Sequence, residues 1–160
     1  MESYKAQLFL HVVAVVVTMG ATFAFPFLQA FAERSGVGAT RFVMQFFVRI
    51  EKILIIPGAI LLSLFGLGII FDSNTPNRYK DDFPVWLMAS ITIFVALVVV
   101  DLLVQQRQVK SAIAALEGVP EGKTLPAAYE AIARRIQMVG GLEGLAIVVI
   151  TFLMVWKPGQ

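Results

Sequence analysis

The side chains able to do chemistry in this chain are the titratable ones set into long apolar runs, because each is costly to bury unless it is paired or used. These are His11, Arg49, Glu51, Lys52, Asp101 and Glu143. His11 is the only histidine and there is no cysteine, so a mononuclear metal site would be short of ligands. A haem iron needs only one good axial nitrogen. The other reading of His11 is a hydrogen bond to a neighbouring helix or to interfacial water. Glu143 stands among Gly140, Gly141 and Gly144, which thin the helix for a close neighbour. Its carboxyl is either hydrogen-bonded within a packing motif or a proton-transfer or substrate-binding group. Arg135, two turns earlier, is its candidate counter-ion. Glu51, Lys52 and Asp101 fall near one membrane boundary. There Lys52 or Arg49 is expected to pair with Asp101 and lock two helices, with a proton or ion pathway as the alternative.

Membrane helices must position these groups. Hydrophobic residues make up 58% of the 160 and charged ones 15%, with a mean hydropathy of +0.81. That composition predicts a polytopic membrane protein with one domain, residues 1–160, and room for four spans. The first apolar run, 8–31, makes about 36 Å of helix, enough to cross a ~30 Å hydrocarbon core. It is longer than the apolar core of a cleaved signal peptide and reads as a span. Glu33 and Arg34 put its end in water, and Gly36 is expected to close it in the left-handed conformation. A second helix begins near Thr40, spans 53–71 and kinks at Pro57; Gly58, Gly66 and Gly68 admit a close neighbour. Residues 72–83 read as an exposed loop. The third span, 84–104, opens at Pro84 with Trp86 as interfacial anchor and continues past Asp101 as an amphipathic helix to Gly118 and Pro120. Thr124 is the expected N-cap of the next helix, whose span is 138–156. The fold class is all-α: a four-transmembrane-helix bundle with a helical hairpin between helices 3 and 4, standing off the membrane.

Nine of the thirteen Lys and Arg lie on the side of that hairpin. The positive-inside rule then makes it a cytoplasmic hairpin with both termini outside, in a cell membrane and, for a bacterium, the inner one. The expected partners are the lipid bilayer and a second copy of the chain. A net charge of +2, scattered along the sequence, excludes a nucleic-acid partner. No GxSxG, HExxH or phosphate-loop pattern occurs, and no internal repeat, so no reaction is read from motifs.

His11 followed by Gly20 (HVVAVVVTMG), Pro26 in FAFPFL, Pro57 with Gly66-Leu67 nine residues on, and the closing Trp156-Lys157-Pro158 together carry a resemblance. They are similar to the CopD-like superfamily of small four-helix membrane proteins, which includes CopD and the HemJ-type protoporphyrinogen oxidase. The resemblance implies the four-helix fold. Through the helix 1 histidine that ligates haem in the HemJ type, it also implies a b-type haem or similar porphyrin at His11. Helix 3 here, PVWLMASITIFVALVVVDLLV, holds neither the lysine nor the histidine of the oxidase, which places the likeness in an uncharacterised integral-membrane branch. Two functions follow. One is haem or porphyrin binding at His11, which as an enzyme would be a haem-dependent membrane oxidoreductase. The other is a non-catalytic membrane scaffold or a small proton-coupled transporter that uses Glu143.

Overall fold

A chain in lipid has no water to satisfy its backbone, so its spans must close their hydrogen bonds internally. The computed structural model describes residues 2–75, 79 and 83–159, and among these every regular element is helical. Helix α1 covers Glu2–Ser35. Helix α2, Val37–Ile50, runs through a π-helical turn at Glu51–Ile55 into α3, Ile56–Phe71. Helix α4, Val85–Val100, runs through a second π-helical turn at Asp101–Gln105 into α5, Gln106–Leu116. Helix α6 covers Ala127–Trp156. Four continuous helices, Glu2–Ser35, Val37–Phe71, Val85–Leu116 and Ala127–Trp156, are long and apolar enough to cross a membrane. This is the expected four-helix bundle.

The ends of the elements follow local chemistry, with corrections to the sequence reading. Gly36 has φ +116 with ψ −174, a region only glycine enters readily, but not the left-handed helical one. It lets Val37 N–H donate to Gly122 O at 2.9 Å, and the second helix starts at Val37 rather than near Thr40. Pro57 follows closely on a π-helical turn, Glu51–Ile55. The π-helical turn ahead of it makes it the second residue of α3, a first-turn position where its missing N–H costs nothing. Thr124 is not the cap of α6. Pro126 holds that position in an extended conformation, because a proline disfavours helix in the residue before it.

The hairpin does not stand off by itself. Helix α5 and the start of α6 pack against α2 around Met44, Phe47, Val109, Ala112, Tyr129 and Ile136, all buried. The Arg41 guanidinium donates to the carbonyls of Leu116 and Val119, both at 2.8 Å, capping the end of α5. Glu33 turns inward, not to water, and accepts from Gln29 Nε2 at 2.8 Å and from Tyr129 Oη at 2.9 Å.

At the opposite end Thr75 and Tyr79 of the 72–83 loop are buried. Asp72 accepts from the Asn74 backbone N–H and the Ser3 hydroxyl, both at 2.8 Å, and these bonds hold its carboxyl below the usual range. Trp86 is a core residue here instead of an interfacial anchor: it is 4% exposed, edge-on to Tyr79 at 5.7 Å and 5.7 Å beneath the Lys157 ammonium. Residues 76–78 and 80–82, with the charges of Arg78 and Lys80, lie outside the described residues.

Helix α1 packs on α3 and α2, α2 on α5, and both α4 and α5 on α6, with a lighter contact between α1 and α6. Helices α3 and α4 stay apart. No Cα pair between them comes within 8 Å.

Candidate intramembrane binding site

Three polar side chains of α1 each sit over a glycine of α3. A Cβ at Gly68 would overlap Gln7, one at Gly58 would overlap Thr18, and one at Gly66 would lie 3.1 Å from His11 Cε1. The three glycines therefore admit a close neighbour, as their sequence suggested, and that neighbour is α1. His11 belongs to this seam. Its Nδ1 lies 2.9 Å from the carbonyl oxygen of Leu62. A carbonyl only accepts, so Nδ1 carries the proton and Nε2 keeps a lone pair in the neutral ring. His11 lines neither of the two most prominent cavities, and a haem iron would find no second histidine or cysteine anywhere in the chain.

The larger cavity, about 620 Å³, occupies the space where α3 and α4 part. Its charged groups are Glu51, Lys52, Asp101, Lys110 and Glu143; α1 contributes only the neutral polar Thr18, Thr22 and Gln29. The remainder of the wall is mainly aliphatic and aromatic.

The two π-helical turns set the site's geometry. Each starts on an acid, Glu51 or Asp101, and each is joined to a helix of 16 residues reaching the loop end of the bundle. Asp101 directly follows α4, whereas Glu51 precedes α3 by the length of its π-helical turn, so the two acids face each other on antiparallel spans from slightly different depths. Glu51 and Asp101 are neighbours in the cavity wall, and Gln106 Nε2 donates to Glu51 Oε1 at 3.3 Å. A carboxylate only accepts, so a hydrogen bond between these two carboxyls requires a proton between them. Glu143 completes the group from α6. It is 9% exposed, and its Oε1 has no hydrogen-bond partner among the described residues. Gln105, which donates to Ile136 O at 3.3 Å, likewise leaves its Oε1 unpartnered.

The sequence-predicted pairings are absent. Among the described residues the ion pairs are Lys5–Glu2 and Arg41–Glu121, so neither Lys52 nor Arg49 pairs with Asp101, and Arg135 does not reach Glu143. The cause is helical phase: neighbouring positions diverge by about 100°, so turning Glu51 to Asp101 turns Lys52 and Arg49 outward. Nor do the glycines around Glu143 mark a tight crossing. A Cβ at Gly140 would lie 3.6 Å from Gln105 Nε2, one at Gly144 3.6 Å from Phe23, and one at Gly141 would meet nothing. Gly140 lines the cavity and leaves room there. What the residue pattern missed is the convergence of the three acids; its one signal was that Glu51 and Asp101 both fall near the same boundary.

The profile of one family, described as a predicted integral membrane protein family (DUF2269), matches residues 6–158. The chain belongs to this family. The match takes in all four spans and every residue of the cavity, so the site of this DUF2269 protein lies wholly inside the family domain. No curated protein and no solved structure matches the chain.

Proposed function

We propose that this integral membrane protein is a small proton-coupled carrier whose ligand site is the cavity bearing Glu51, Asp101 and Glu143. The observation that carries the reading is the convergence of three acids, one each from spans 2, 3 and 4, on an apolar cavity in which Glu143 Oε1 has no partner. A buried unpartnered oxygen is a standing cost, and such atoms persist where something uses them. In this reading Glu51 and Asp101 share a proton, which gives the site something to exchange. A ligand that brings positive charge or hydrogen-bond donors to these carboxyls takes the proton's place and the proton passes to water; on release a proton is taken back from water. The Lys and Arg bias supports a cytoplasmic α2–α5 end with both termini outside. Kinship with the CopD-like superfamily is part of the proposal for the fold and lends no activity to it.

The test is labelling with dicyclohexylcarbodiimide, a lipid-soluble reagent for protonated carboxyls in apolar surroundings. Labelling is expected on Glu51, Asp101 or Glu143, mapped by mass spectrometry, while the exposed acids Glu2 and Glu130 stay unlabelled. Absence of label from all three cavity acids would overturn the carrier reading.

The second reading, a porphyrin at His11, has one observation in its favour. The Nδ1 bond to Leu62 O fixes the ring and leaves Nε2 as a ligand, the arrangement common to metal-bound histidines. The cavity does not take part in it, and a Soret band lost in His11→Ala is its test.

A further inference from the structure

We infer that the cavity takes a lipophilic organic cation, an amine or onium group on an apolar body, which enters sideways from the bilayer between α3 and α4. This rests on the carrier reading and adds the ligand's class and its route.

The route follows from what is closed. Toward the α2–α5 end the cavity's floor is the buried cluster of Met44, Phe47, Val109 and Ile136. Toward the other end it is covered by Leu62, Met19 and Ile147, and beyond them by Ile70, Tyr79, Trp86 and Leu87. The gap lies between α3 and α4, where no Cα pair comes within 8 Å. Ile60, Val95 and Val99 line the cavity and are nevertheless 55%, 53% and 47% exposed, which makes them the rim of an opening on the lipid-facing surface. Only a lipid-soluble ligand meets that opening.

The class follows from the arrangement of charge. The two lysines of the lining, Lys52 and Lys110, are exposed, so their ammonium groups lie on the outer edge where they can reach headgroups. The charged groups turned inward are the three acids. A site with carboxyls at its centre and aliphatic walls is complementary to a monocation with an apolar body, and Glu143 Oε1 offers it an unused acceptor. A volume of about 620 Å³ falls within the range of single small-molecule sites.

The experiment uses the full chain in phosphatidylcholine nanodiscs with two probes of matched shape and opposite charge, tetraphenylphosphonium and tetraphenylborate. Saturable binding of the cation and none of the anion is expected. Glu143→Gln, or Asp101→Asn if that variant fails to fold, is expected to weaken cation binding at least about tenfold, through the lost attraction between a carboxylate and the cation. Ile60→Trp combined with Val95→Trp narrows the opening and is expected to slow association severalfold while carbodiimide labelling of the acids persists. Equal or preferred binding of the anion, no saturable cation binding, or association unchanged by the tryptophans would overturn the inference. Labelled acids with no cation binding would strike the ligand class and leave the carrier; unlabelled acids would strike both.

Discussion

Spans 2 and 3 behave as two different structures on either side of their π-helical turns. On one side α2 and α5 pack directly, with Met44 and Ala112 fully buried between them and Arg41 capping the last carbonyls of α5. On the other side α3 and α4 part, and they are drawn together again only through the cluster of Ile70, Tyr79, Trp86 and Leu87. The same helix pair is a clamp at one end and the wall of a cavity in the middle. The acids sit at the change from one to the other. The contrast teaches that a tightly packed end can coexist with a middle that keeps unpartnered polar atoms at Glu143 and Gln105.

The contrast breaks hardest at the clamp. Met44→Ala deletes a fully buried side chain where α2, α5 and α6 meet and is expected to cost about 2–5 kcal/mol, read as a fall in melting temperature larger than that of any cavity substitution. Melting in detergent followed by circular dichroism checks this. The corresponding change in the cavity sharpens the contrast. Glu143→Gln replaces a carboxyl whose Oε1 has no partner among the described residues, so melting is expected to stay within about 0.5 kcal/mol of the parent or to rise. A loss at Glu143 as large as that at Met44 would show that the glutamate is a packing element after all.

Much of this architecture is readable from the residues alone. Long apolar runs bounded by charge mark the four spans, and the apolar spacing beyond Asp101 (Val109, Ile113 and Leu116) announces that the helix of span 3 continues as amphipathic α5. The glycines at 58, 66 and 68 correctly mark a tight crossing. Those at 140, 141 and 144 do not, because a glycine tells only that a side chain is absent and not whether a helix or a cavity fills the place. Depth along a helix can be counted, which puts Glu51 and Asp101 near one boundary. Azimuth cannot. A π-helical turn inserts an extra residue and rotates everything beyond it, and nothing in EKILI or DLLVQ announces one. For that reason the residue pattern matches Asp101 to Lys52 or Arg49 when its neighbour across the gap is Glu51. Trp86 misleads for a related reason: its partner Tyr79 comes from the 72–83 loop, where periodicity carries no information.

The central claim is that Glu51 and Asp101 meet across the gap with a proton between them. Infrared spectroscopy of the purified protein in lipid, exchanged between light and heavy water, reads that proton directly. A protonated-carboxyl C=O band that shifts on exchange and is lost in both Glu51→Gln and Asp101→Asn is the expected result. A band indifferent to both substitutions, or none in the parent, would contradict the pairing and with it the site.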